Sequence, residues 1–74
     1  INTNATIGDN CIINSKALIE HDCVVGDHCH ISTGAILNGG TVVKQGTFFG
    51  SSAVSKEYVT VLENSFIKAG SLVK

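Results

Sequence analysis

Every sixth residue counted from Ile1 is large and apolar at twelve of thirteen places: Ile1, Ile7, Ile13, Ile19, Val25, Ile31, Leu37, Val43, Phe49, Val61, Ile67 and Val73, with Ser55 the exception. Two residues before each stands a small or β-branched one: Ala5, Cys11, Ala17, Cys23, Cys29, Ala35, Thr41, Thr47, Ala53, Val59, Ser65 and Ser71. The place just after the aliphatic residue often holds a turn former, as at Asn2, Gly8, Asn14, Gly26, Asn38 and Gly50. Three rules held in phase along 74 residues define an internal repeat, which decides the fold before any local propensity does.

A period of six matches no amphipathic helix, whose apolar stripe recurs at 3.6. Side chains two apart in an extended strand point the same way, so the small and aliphatic residues both face inward and the residue between them faces out. The polar residues that follow make a corner. Three hexads then close a triangular coil of 18 residues, and stacked coils hydrogen-bond as parallel strands. Four coils use 72 of the 74 residues, so residues 1–74 form a single all-β domain. At the usual strand spacing of about 4.8 Å the stack stands roughly 15–20 Å tall. Ser55 and Leu62 interrupt the pattern and predict a less regular last coil.

Composition excludes several classes. Apolar residues make up 43% and charged residues 15%, which suits a folded domain better than a disordered tail. The net charge is −1 and all five basic residues are Lys, so a nucleic-acid role has no electrostatic support. No apolar run approaches the roughly 20 residues that span a bilayer, and no signal-peptide pattern opens the chain. A soluble protein is expected. The chain opens on Ile1 and contains no Met, which reads as a piece of a longer product.

The segment from Glu20 to His30 holds two Cys, three His and three carboxylates, which at first suggests a metal site. The phase argues otherwise. Cys11, Cys23 and Cys29 all fall in the small inward slot, where they act as small buried hydrophobes and cannot join outward histidines. No zinc-finger spacing is present, and no metal is expected. Buried reduced thiols suit a cytoplasmic protein.

The outward positions stack into three columns: Thr6, Val24, Val42, Thr60; Ile12, His30, Phe48, Phe66; and Leu18, Ile36, Val54, Leu72. Two are stripes of large apolar groups, which mark an interface. So small a body is also insecure alone. An oligomer follows, and a three-fold ring suits a three-sided prism. His21 occupies a corner with Asp22 beside it, while His30 is polar in an apolar column and needs a partner or a task. Across a subunit boundary a corner and a wall can form one cleft. An imidazole there can take the proton of an attacking amine or hydroxyl, with the carboxylate fixing its tautomer.

The recurrent aliphatic residue, often followed by Gly, resembles the hexapeptide-repeat acyltransferases, and the resemblance implies a left-handed parallel β-helix and a trimer. It also overrides the general preference for right-handed crossovers. From Ile13 to Ser32 the chain reads Ile13-Asn14-x-x-Ala17-x-Ile19-x-His21-Asp22-Cys23-x-Val25-Gly26-x-x-x-His30-Ile31-Ser32. This is similar to the sugar O- and N-acetyltransferases of the sialic-acid and bacillosamine type. The resemblance implies acetyl-CoA as co-substrate and a sugar or nucleotide sugar as acceptor. It makes His21 the general base, supported by Asp22, and puts His30 at the thioester end of acetyl-CoA. Gly39 and Ser51 fall where backbone groups line the coenzyme groove. Members usually carry an α/β domain and closing C-terminal coils that nothing here matches, so these residues alone are expected to fall short of full activity. His28 reads as a solvated corner, and Lys44, Lys56 and Lys68 as solubilising charges. Two rivals stand beside the transferase: a zinc-dependent carbonic-anhydrase-like β-helix, which the close spacing of His21, His28 and His30 fits poorly, and a non-catalytic trimerisation module.

Overall fold

The computed structural model describes residues 1–74 and contains twelve two-residue strands and no helix. They are β1 (Thr6–Ile7), β2 (Ile12–Ile13), β3 (Leu18–Ile19), β4 (Val24–Val25), β5 (His30–Ile31), β6 (Ile36–Leu37), β7 (Val42–Val43), β8 (Phe48–Phe49), β9 (Val54–Ser55), β10 (Thr60–Val61), β11 (Phe66–Ile67) and β12 (Leu72–Val73). They form three four-stranded sheets, β1-β4-β7-β10, β2-β5-β8-β11 and β3-β6-β9-β12, with every pairing parallel. Thr6 pairs with Val24, Ile12 with His30 and Leu18 with Ile36, a constant offset of eighteen. The fold is a four-coil parallel β-solenoid of hexapeptide repeats, consistent with a left-handed β-helix. No helix is long and apolar enough to cross a membrane.

The two-residue alternation sets the core. In each strand the second residue faces inward, and Ile19, Ile31, Leu37, Val43 and Phe49 are completely buried in the central coils. The first residue faces out, as the sequence phase requires. Phe48 and Phe66 stack at 5.1 Å between centroids on one outer face, and Phe66 stays 69% exposed. Each coil turns at the fourth residue of the hexad, where φ is positive at all twelve corners, from Asn4 to Gly70.

The inward small slot does more than leave room. Cys11, Cys23, Cys29, Thr41 and Thr47 each donate to a corner carbonyl of the next coil, fifteen residues on: Gly26, Asn38, Lys44, Lys56 and Leu62, at 3.0–3.2 Å. Treating these cysteines as mere hydrophobes was therefore incomplete, because their thiols satisfy carbonyls at the coil edge. All three are free thiols.

The last coil is also more regular than Ser55 and Leu62 suggested. Ser55 is fully buried in the aliphatic column, and β9 keeps its register with β6 and β12. Its hydroxyl accepts from the Asn38 N–H at 3.1 Å and lies 2.8 Å from Thr41 Oγ1. Thr41 Oγ1 in turn lies 2.7 Å from the Asn38 carbonyl, and Asn38 Nδ2 donates to the Ser55 carbonyl at 2.8 Å. Asn2 and Glu20, the equivalent corner residues, instead donate their N–H groups straight to the carbonyls of Ile19 and Leu37. One ladder step has been rerouted through side chains and every partner is satisfied, which is why a polar residue is tolerated there.

Removing one hydroxyl from this closed circuit strands another. Thr41→Val is expected to lower unfolding stability by about 1–3 kcal/mol. Thr60→Val on the exposed face should leave it nearly unchanged, both read from urea melts. Burial pushes the Cys23 and Cys29 thiols above the ordinary value of 9.0. An acid with a raised folded-state pKa gives stability that is intact below the unfolded pKa and lost as pH rises past it. Stability should therefore decline above about pH 9, and the decline should be smaller in a Cys23→Ala, Cys29→Ala double variant.

Candidate functional site

The site is built on one corner column, residues 20–22, with residues 38–40 and 56–58 below it at offsets of eighteen. Backbone bonds tie the corners together: Gly40 N–H donates to the His21 carbonyl at 3.0 Å, and Tyr58 N–H to the Gly39 carbonyl at 2.9 Å. Asp22 takes the left-handed φ of 60° that the corner demands, a conformation Asp tolerates better than most residues. That turn sets its carboxylate beside the preceding imidazole. His21 Nδ1 lies 3.0 Å from Asp22 Oδ2, with both side chains about half exposed. With Nδ1–H donating to the carboxylate, Nε2 keeps its lone pair and can act as an acceptor.

Gly39 is where the sequence-derived placement changes meaning. A Cβ built on it would lie 2.7 Å from His21 Nε2 and 2.8 Å from Cε1. The imidazole thus rests on the bare backbone of Gly39, so the first physical role of this glycine is to seat His21. Gly40, at φ 72°, is covered in the same way by the Tyr58 ring. The two glycines lie at the corner pinned from inside by Asn38, Thr41 and Ser55.

His30 stands on another face. Its ring meets Phe48 edge-on at 5.0 Å and 63°, and Asn14 Nδ2 lies 3.0 Å from its Nε2. Donation from the Asn14 amide places the remaining ring proton on His30 Nδ1. The polar residue in the apolar column therefore has a partner within its own chain. No hydrogen bond or ring contact joins His21 to His30. Ser51 is an exposed corner residue whose carbonyl accepts from Gly70, two corners away from His21 in the same coil as Gly39 and Gly40. His28 is an exposed corner residue with φ 59°. No three side chains among His, Cys, Asp and Glu converge as a metal would need.

A shallow groove lies on the face of β4 and β7, lined by Val24, Val42, Asp27, Lys44, Gln45 and Glu63. It does not include His21. Two carboxylates against one ammonium make it a poor seat for phosphates.

The Asn14–His30 bond, Tyr58 and the Ser55 circuit are not evident from the sequence period alone. The signal for two of them was available in the register, since Tyr58 lies eighteen residues after Gly40 and Ser55 eighteen after Leu37.

Among known families, the bacterial transferase hexapeptide (six repeats) matches residues 4–39, just under half of the chain. The structure continues the same six-residue period beyond the matched residues, through Val73. No curated protein matches.

Any side chain at position 39 must move the imidazole, because a Cβ there would lie 2.7 Å from His21 Nε2. Gly39→Ala is therefore expected to displace the ring from its seat, shifting the His21 imidazole C–H resonances while leaving those of His28 in place. Histidine-region NMR spectra of the two proteins would check it.

Proposed function

We propose that the chain is the β-helical part of an acetyl-CoA-dependent acetyltransferase that modifies an amino or hydroxyl group of a sugar or nucleotide sugar. The observation that carries this reading is the His21–Asp22 pair, held at an exposed corner with Nδ1 engaged and Nε2 free on the Gly39 backbone. The similarity of residues 4–39 to the transferase hexapeptide repeat supports acyl transfer as the class.

The chemistry follows from the pair. The acceptor nitrogen or oxygen attacks the thioester carbonyl carbon as His21 Nε2 removes its proton. Asp22 holds the imidazole in the reactive tautomer and stabilises the imidazolium that forms. The tetrahedral oxyanion then collapses, the C–S bond breaks, and the departing coenzyme thiolate takes the proton from His21. His30, with its Nδ1–H free by virtue of Asn14, is suited to donate to the thioester oxygen or to the pantetheine amides. Cys23 and Cys29 do not serve as nucleophiles, because both are buried and their pKa values are raised. Backbone groups at Gly39 and Ser51 line the coenzyme groove in this reading.

His21 and His30 share no contact within one chain, so a cleft using both is completed between subunits. The outward apolar column of Ile12, Phe66 and half-buried Phe48, and that of Leu18 and Leu72, supply the contact surface. A homotrimer closes such a ring with no column left over. The same columns favour a second reading, a trimerisation module without catalysis, which differs in needing no His21. Cytoplasmic location fits the three free thiols.

The two readings part on one experiment. His21→Ala should retain the trimer by light scattering and retain acetyl-CoA binding by calorimetry, while transfer falls by at least about 10²-fold. A trimer that binds no acetyl-CoA and is indifferent to His21 would leave the structural module.

A further inference from the structure

From the geometry of the 39–40 corner we infer that Tyr58 is a stacking platform for the sugar ring of the acceptor, an assignment that rests on the transferase reading above. Tyr58 is 75% exposed, and no other ring packs on it. Its ring covers Gly40 while the His21 ring covers Gly39, so two aromatic side chains lie on adjacent bare residues of one corner. The seat is firm. Tyr58 N–H is bonded to the Gly39 carbonyl at 2.9 Å, and the buried Asn38–Thr41–Ser55 circuit pins the same corner from inside.

Tyr58 shares the left-handed φ of every corner, here 58°. Its solvated ring contributes little to the core. The phenol ring offers an apolar face with a polar tip, suited to the C–H face of a pyranose whose hydroxyls stay wet.

Two features assign the platform to the acceptor and not to the coenzyme. Reacting atoms must meet about 3–3.5 Å apart beside His21, so the nucleotide end of acetyl-CoA, a long flexible arm away from its thioester, cannot lie one residue from the imidazole seat. The corner also carries the carboxylates of Glu20, Asp22 and Glu57 against the single ammonium of Lys56, which repels coenzyme phosphates.

The chain has one Tyr and no Trp, so its intrinsic emission above 300 nm comes from Tyr58 alone. Titration with methyl glycosides of glucose, galactose, glucosamine and galactosamine should give saturable quenching with at least one of them. For a sugar that is acetylated, Tyr58→Ala should raise the acceptor KM about five- to tenfold, with the acetyl-CoA KM unchanged and Tyr58→Phe close to the parent. An unchanged acceptor KM in Tyr58→Ala, with His21→Ala inactive, overturns the platform and leaves the transferase standing. Saturable binding of a glycoside by calorimetry that is unchanged in Tyr58→Ala overturns the platform, whether or not the chain transfers acetyl. Quenching by none of the four glycosides, with binding of none by calorimetry, overturns the platform as well.

Discussion

Every inter-coil bond in this molecule depends on one constraint: residues eighteen apart must lie over one another. Strands of two residues cannot hold a register by themselves. The register is kept by repetition, because a slip of one residue in any coil would turn its aliphatic groups outward and its polar groups in. The backbone ladder therefore enforces chemical similarity down each column. Where the column tolerates a difference, something specific compensates. Ser55 is the clearest case, buried among aliphatic neighbours because Asn38 and Thr41 complete its hydrogen bonds.

The same constraint explains how a functional corner can be assembled from residues far apart in sequence. His21, Gly39 and Tyr58 span thirty-eight residues but occupy three consecutive steps of one edge. The steps are linked by backbone bonds, so the imidazole sits on a surface whose position the ladder fixes. Side-chain geometry held this way relies little on mobile loops. The cost falls on sequence freedom: position 39 must stay bare for the ring above it to keep its place.

Much of the fold was legible because the hexad fixes both direction and burial. The phase alone put Cys23, Cys29 and Phe49 inside and Ile12, Leu18 and Phe66 outside, as the structure has them. It also put His21 on a corner beside Asp22. What escaped were effects that depend on side-chain reach between coils. The thiol-to-carbonyl bonds at an offset of fifteen, and the Asn14–His30 bond at an offset of sixteen, run diagonally and leave no mark in a six-residue period. The irregularity expected near Ser55 did not occur, because a periodic pattern records hydrophobicity and is blind to a closed hydrogen-bond circuit. The handedness came from resemblance and not from spacing.

The twelve positive-φ corners have a consequence for how such a molecule can change. Only four are glycine; the other eight carry side chains, among them Asp22, His28 and Tyr58. A left-handed residue with a Cβ costs on the order of 1–2 kcal/mol relative to the right-handed form. The stack thus bears a distributed strain that its cross-coil bonds tolerate, and in exchange it displays varied groups along three straight edges. An edge of this kind works as a rack: each slot can be refitted without disturbing the coil behind it, so new recognition can arise one corner at a time while the hydrophobic prism stays as it is.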